Sequence, residues 1–512
     1  MRPDTFVRAI LAVARDGLSP AAAYGIAAAR YPRELALIDD RGALAFAQAS
    51  RRIATLASAL EAGGVDQGHR VGLMCRNHRD FVLNAAALSS LGADIVLLSV
   101  EATAGEIHAV VESQRVDLIV HDDEFATRFA EHAGLRRLVP QREDWDGATG
   151  SLDDVMENGE RRLRLARLPG SHFTLLSSGT TGTPRGTARP VPLSIEPMTA
   201  LVNRVPLRVR DVTLIASPLF HAWGFGNLGL AMVFSSTVVL QTRFDPEATL
   251  AAVADHRVRV LVAVPVMLQR LVELPDRVHR RYDTSSLEVV ATSGSALPGN
   301  LATRFMDRFG DILYNVYGST EAAWASIATP TDLRAEPQTA GRPPHASAVT
   351  ILDEAGDPCP AGRTGRIVVE NALTSGSHGA QAPSDLPRGA VATGDLGHFD
   401  KSGLLFVDGR EDDMIVSGGE NVYPQEVEDV LSVHPSILEA TVTGVPDDRF
   451  GQRLRALVVL RHGHTATVAD VKAFVRARLA RYKVPRDVDF VDELPRTPTG
   501  KQLHRETDLR SS

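Results

Sequence analysis

The strongest constraint on this chain is a rhythm of strand-length apolar runs separated by helix-length ones. Val71-Gly72-Leu73-Met74-Cys75, Ile95-Val96-Leu97-Leu98 and Val116-Asp117-Leu118-Ile119-Val120 read as short buried strands. Ala85 to Leu91, closed by Gly92, and Glu106 to Glu112 read as helices between them. A parallel neighbour is reached only through a crossover, and the crossover helix covers the face of the sheet. The rhythm therefore predicts an α/β fold with a parallel sheet. A helix over Ile53 to Leu60, stopped by Gly63-Gly64, precedes it. Strand-like runs return at Val260 to Val264 and Val289 to Ala291.

The texture changes near Gly341. Glycine and proline thicken, and Ile367-Val368-Val369 and Leu404 to Val407 suggest hairpins of a β-rich subdomain. Beyond a charged, glycine-led turn, Gly409-Arg410-Glu411-Asp412-Asp413, two helices are expected at Pro424 to Val433 and Val468 to Ala480. Strands Ala440-Thr441-Val442 and Leu457 to Leu460 lie between them, giving a small α+β module. At 512 residues the chain exceeds a single core, which stops growing at roughly 250–300 residues. We expect a large domain of αβ-sheet subdomains plus the β-rich subdomain over 1–411, and a small α+β domain over 412–512.

Several classes are disfavoured. The net charge of −8 offers no basic excess for nucleic acid. Two cysteines, Cys75 and Cys359, make no disulfide framework or Cys/His cluster, which fits a reducing cytoplasm. Arg8 interrupts the apolar run of residues 1–15, which reads as an amphipathic helix rather than a signal peptide. No run of about 18 apolar residues suggests a membrane span.

The chemistry begins where strand-like Phe173-Thr174-Leu175-Leu176 runs into Ser177-Ser178-Gly179-Thr180-Thr181-Gly182-Thr183-Pro184-Arg185-Gly186. Three glycines permit close backbone approach. The hydroxyls and exposed N–H groups can surround a polyphosphate, and Arg185 adds a cation. No Gly-Lys-[Ser/Thr] occurs, so this is not the other common phosphate loop. A solvated Ser/Thr/Gly loop is the bland alternative.

This loop resembles the signature of the adenylate-forming superfamily, which includes acyl-CoA synthetases, luciferase and the adenylation domains of peptide synthetases. Arg185 stands where that family usually has lysine; it keeps the charge and offers a fork of donors. Further stations follow in the family's order. Tyr317-Gly318-Ser319-Thr320-Glu321 resembles its second hallmark. The resemblance implies Tyr317 against adenine, Thr320 on the α-phosphate, Glu321 with Thr180 on Mg2+, and Asn315 reading the adenine amino group. Ser293-Gly294-Ser295-Ala296-Leu297 resembles the segment along adenine and the acyl carbonyl. Thr393-Gly394-Asp395-Leu396-Gly397 resembles the ribose station, with Asp395 accepting from both hydroxyls and Arg410 reaching the same sugar. For Asp395 alone, an ordinary Gly-Asp turn would serve. Pro218 to Gly224 resembles the acyl-pocket wall, with His221 as gate; a lone histidine among apolar residues is otherwise a core residue.

Pro495 to Lys501 closes the pattern, and Lys501 matches the catalytic lysine. Attack of a carboxylate on the α-phosphate gathers negative charge, which an ammonium stabilises. Asp412 matches the hinge of a mobile C-terminal domain, and Ser417 to Pro424 the loop that swings in for thioester formation. Gly418 and Gly419 would leave room for a pantetheine arm. The basic cluster Arg481 to Arg486, with Lys483 and Arg486, could meet coenzyme A phosphates or be a solvated face. Phe450-Gly451-Gln452 sits where relatives place a residue near the cofactor. The chain departs from the family at Arg366, usually glutamate, and across Asn371 to Gly389.

The resemblance implies ATP and Mg2+, with a small carboxylic acid and coenzyme A as partners; a homodimer is left open. The acyl pocket is expected from His221, Phe225, Gly226, Val264 and Val266, with no charge to pair an amino acid's ammonium. A medium- or long-chain fatty acid comes first, closest in pattern to fatty-acid–CoA ligases, and an aromatic acid second. A carrier-protein thiol as acceptor, and a non-catalytic acyl or nucleotide sensor, remain as alternatives.

Overall fold

The structure is a computed structural model that describes residues 19–130, 135–139, 150–151, 171–177, 185–190, 196–319, 322–371, 374, 386, 389–417, 420–447 and 451–494. The N-terminal helix expected within residues 1–15, Ser178 to Thr183, Thr320, Glu321, Gly418, Gly419, Phe450 and Pro495 to Lys501 lie outside the described residues. The chain packs as two units. One takes its described residues from 1–195, 206–263 and 274–290, the other from 196–205, 264–273 and 291–512.

The first unit begins with α1 (Pro20–Arg30), the hairpin β1 (Leu35–Asp39) and β2 (Gly42–Ala45), and α2 (Phe46–Ala62). The expected rhythm follows as β3 (Arg70–Met74), α3 (Arg79–Ser90), β4 (Asp94–Leu97), α4 (Ala104–Gln114) and β5 (Leu118–His121). β4 and β5 flank β3, both parallel to it. β6 (Arg136–Val139) and β7 (Gly150–Ser151) extend the parallel run, β8 (His172–Ser177) joins beside β4, and β9 (Arg185–Pro190) returns antiparallel on β8. Val71, Leu73, Ile95, Val96, Ile119 and Val120 are wholly buried, as in strands covered on both faces. α4 starts with a reciprocal cap: Glu106 N–H donates to Thr103 Oγ1 and Thr103 N–H to the Glu106 carboxylate.

A second parallel run in this unit holds β10 (Val212–Ile215), β11 (Thr237–Leu240) and β12 (Val260–Ala263). β10 lies between β11 and β12, and β1 pairs on β11. α5 (Ala222–Val233) joins β10 to β11, and α6 (Pro246–His256) joins β11 to β12. β13 (Val289–Thr292) then carries the chain onward.

The second unit includes α7 (Pro265–Val272), α8 (Gly299–Phe309) and the antiparallel hairpin β14 (Leu313–Ser319) and β15 (Ala323–Ala328). Four antiparallel strands follow in sequence order: β16 (Ser347–Leu352), β17 (Gly365–Asn371), β18 (Ala390–Phe399) and β19 (Leu405–Arg410). This is the expected β-rich subdomain, and Arg366 pairs with Leu352 of β16 and Leu396 of β18, next to an irregularity in the β17–β18 register. A short 3-10 turn, Glu411–Asp413, leads to β20 (Ile415–Ser417), β21 (Glu420–Val422) and α9 (Pro424–Ser432). The long hairpin β22 (Ile437–Asp447) and β23 (Gly451–Leu460) precedes α10 (Val468–Arg476), and β24 (Asp487–Phe490) lies parallel on β23.

One expectation is corrected. The helix expected to reach Ala480 ends at Arg476. The amides of Arg478 and Leu479 both turn back to the Val475 carbonyl, and Leu479 folds onto the local core. The Thr393-to-Gly397 stretch lies in the middle of β18. Among the described residues, no helix is long and apolar enough to cross a membrane.

Candidate functional site

In the second unit, three strands bring distant stations together. Tyr317 comes from β14, Thr393 and Asp395 from β18, and Arg410 from β19, where it is the register partner of Asp395. The Tyr317 phenol donates to Asp395 Oδ2 at 2.6 Å and lies 3.2 Å from Thr393 Oγ1. Thr393 Oγ1 in turn accepts the Asp395 amide at 3.1 Å and donates to the Ile367 carbonyl at 3.1 Å. Arg410 Nη1 stands 3.7 Å from Asp395 Oδ1. Burial, then the adjacent Asp395 charge, holds the Tyr317 phenol well above its usual range, so it is a neutral donor throughout the physiological range.

Gly394 makes this register possible. Its φ is +77°, and a Cβ there would stand 3.2 Å from the Arg410 guanidinium. A side chain would be strained by the backbone and crowd the arginine. Asn315 lies on the same strand as Tyr317, with its side chain largely buried. Gly318 follows Tyr317 across an irregularity in the β14–β15 register, and Ser319 Oγ accepts the Ala322 amide at 3.0 Å. Gly294, Ser295 and Ala296 follow β13, and a Cβ on Gly294 would touch the Val264 side chain at 3.6 Å. Val264 is buried at the N-cap of α7, and Val266 stands in its first turn. The structure thus joins Tyr317, Asp395 and Arg410 directly, and Gly294 to Val264. Sequence reading had assigned no role to Thr393, whose hydroxyl holds the cluster together; it lay inside a quoted motif.

Farther along, Lys483 does not stand in open solvent. It ion-pairs with Glu426 of α9, and its side chain is 17% exposed. Arg486 is tied through its backbone: its amide donates to Leu454 O, and its carbonyl accepts the Lys472 ammonium. Asp412 sits in the 3-10 turn between β19 and β20.

In the first unit, Ser177 ends β8 and Arg185 opens β9, and the two are register partners with Leu176 opposite Gly186. The glycine-rich stretch is therefore the connection of an antiparallel pair.

Also in this unit, His221 occupies the N-cap position of α5. Its ring lies 4.3 Å from the Phe220 ring, and its Nε2 is buried with no hydrogen-bond partner among the described residues. Burial pushes the imidazole down to about 4, so it is neutral at physiological pH. The first turn of α5 is jammed against the preceding segment, because a Cβ on Gly224 would collide with the Pro218 carbonyl oxygen. Trp223 Nε1 donates to the Ala263 carbonyl at 3.0 Å, fixing the helix to the end of β12. Phe225 packs its ring 4.6 Å from Phe173. Gly226 is followed one turn later by Gly229, and a Cβ on either would meet no atom within 4 Å. The described residues hold no group of three His, Cys, Asp or Glu suited to a metal.

The chain as a whole is similar to known proteins. The AMP-binding enzyme family matches residues 26–376, and the AMP-binding enzyme C-terminal domain matches residues 426–501. A feruloyl-CoA synthase from Amycolatopsis sp is 33% identical over 484 residues, covering 94% of this chain and 96% of that protein. A 2-succinylbenzoate–CoA ligase from Geobacillus kaustophilus is 34% identical over 481 residues, covering 93% and 94%. The solved o-succinylbenzoate CoA synthetase from Bacillus subtilis, in complex with its acyl-adenylate intermediate, superposes with a TM-score of 0.80 at 27% identity, covering 94% and 96%.

Proposed function

The chain belongs to the AMP-binding enzyme family and is an acyl-CoA synthetase, and from that premise we propose that its acid is aromatic rather than a fatty acid. The observation that carries this is the full-length likeness to ligases whose names are feruloyl-CoA synthase and 2-succinylbenzoate–CoA ligase. The first turns of α5 support it. Phe225 packs at a tilt against Phe173, while Gly226 and Gly229 leave open space where side chains would stand, which suits a flat apolar ring. The fatty-acid preference expected from the apolar lining alone gives way to this reading.

In the mechanism we propose, the acid carboxylate attacks the α-phosphate of ATP, forming the acyl-adenylate and releasing pyrophosphate. The thiolate of coenzyme A then attacks the acyl carbonyl, and AMP leaves. Ser177 to Gly186, with Arg185 as cation, would cradle the departing phosphates. Asn315, Gly318 and the Gly294-to-Ala296 segment would hold the base, Tyr317 would lie against it, and Asp395 and Arg410 would hold the ribose. Neutral His221 can face a carboxylic acid's apolar body without bringing a charge into a buried wall. Lys501 and Thr320 would stabilise the charge gathering on the α-phosphate. Thr180 and Glu321 would hold Mg2+, which when bound neutralises phosphate oxygens. Lys483 and Arg486, with the Gly418-Gly419 loop, would serve the coenzyme A path. The units of work would be 1–411 and 412–512, hinged at Asp412.

A pyrophosphate-release panel tests the reading. Cinnamic-type and arylacetic acids should turn over with higher kcat/KM than octanoate or dodecanoate. A fatty acid at the head of the ranking would sink the aromatic proposal while leaving the ligase intact.

A further inference from the structure

The segment that ends in His221 is held by a side chain from the other sheet of its unit. Asn77 lies in the loop between β3 and α3 and is 7% exposed. Its Oδ1 accepts the Leu219 amide at 2.9 Å, and its Nδ2 donates to the Ser217 carbonyl at 2.9 Å and faces the Ile215 carbonyl at 3.4 Å. One carboxamide thus reads the backbone from the end of β10 to two residues before His221. A carboxamide offers both a donor and an acceptor with no charge.

The loop holding Asn77 is itself braced on both sides. Asp122 Oδ2 accepts the Arg76 amide at 2.8 Å and lies 2.9 Å from His78 Nε2. Because His78 Nδ1 accepts the Asp80 amide at 3.3 Å, Nε2 carries the proton that goes to Asp122. Beyond Leu219, the backbone cannot relax freely, since Pro218 O is pressed against Gly224. Any shift of the 217–219 turn therefore reaches His221 and the start of α5.

We infer that Asn77 is a positioning residue for acid activation, acting through the Ser217–Leu219 backbone to set His221. This rests on the reading of His221 as the acid-facing residue. It is tested with Asn77→Ser, His221→Asn and the double variant, by pyrophosphate release at varied acid and varied ATP. N77S should lower kcat/KM for the acid by about tenfold with KM for ATP held within about twofold. In the H221N background, the same change should shrink to about twofold or less. A purely structural role would lower the melting temperature and leave kcat and KM of the folded enzyme unchanged. That result overturns the inference, as does an N77S effect that is undiminished beside H221N. If N77S fails to fold, Asn77→Asp, which keeps the acceptor for Leu219, is read by the same criteria. An H221N enzyme with unchanged kcat/KM for the acid would instead overturn the His221 reading, and this inference with it.

Discussion

Tyr317 donates to Asp395 across 78 positions of sequence, and nothing in either motif announces the partner. Each residue was singled out because it sits in a dense motif. Their bond was not legible, because it depends on how β14 and β18 meet. Tyr317→Phe keeps the ring and removes the donor. A hydrogen bond to a charged group is worth about 1.5–3 kcal/mol, so the KM for ATP should rise about tenfold or more, with a smaller change in kcat. Steady-state pyrophosphate release at varied ATP reads this directly, and an unchanged KM would reduce the pair to a strand staple. His221 makes a different prediction. Its folded value is about 4, below the ordinary 6.5, so the unfolded chain takes up the proton first as pH falls. Its share of stability is present above about pH 6.5 and is lost progressively as pH falls toward 4. Urea melts at pH 8 and pH 5 should therefore show the wild type losing about 2 kcal/mol more than His221→Asn. Equal losses would show that the imidazole is not buried in the neutral form.

At the scale of elements, α9 carries a carboxyl whose environment opposes its charge. Burial pushes Asp429 up to about 7, against the Gln425 Nε2 donor at 2.9 Å. A folded value above the unfolded one gives stability that is full at acid pH and lost as pH rises through 7. Asp429→Asn should match the wild type near pH 4 and exceed it by about 4 kcal/mol at pH 8, by chemical denaturation. A constant difference across that range would contradict it. The parallel strands β3, β4 and β5 were legible because burial on both faces leaves unbroken apolar runs. The end of α10 was not, since Leu479 has the same local character inside a helix or folded onto a core. Whether Asp395 lies in a turn or a strand was not legible, because Gly394 with positive φ suits a turn or an irregular strand alike. The flanks of the glycine-rich loop were legible as a strand running into a turn, whereas the return of β9 onto β8 needed pairing that no local pattern records.

At the scale of the whole molecule, the two half-reactions ask for different groups: adenylation gathers charge at the α-phosphate, and thiolation is attack on the acyl carbonyl. In the proposed rotation, residues 412–512 would move as a piece. Val427 and Leu431 of α9, Val442 and Leu454 of the long hairpin, Val471 and Val475 of α10 and Val488 of β24 form one core of their own. Rotation about Asp412 would leave that core intact. What such rotation would break includes the Asn300 amide on the Ser432 carbonyl and the Tyr423 ring against Gly409. These are contacts of polar and small groups, far weaker than a shared apolar core. If the proposed rotation holds, Lys501 serves adenylation alone, because only that step gathers charge on the α-phosphate. Lys501→Ala should then slow acid-dependent pyrophosphate release by about 10²–10³. Transfer from supplied acyl-adenylate to coenzyme A should stay within about threefold of wild type, since the thiolate attacks a carbonyl the lysine no longer faces. The two assays share one protein preparation, so a folding defect would depress both. Equal loss in both steps, with an unchanged melting temperature, would mean that the lysine stays in place throughout and that the domains do not alternate.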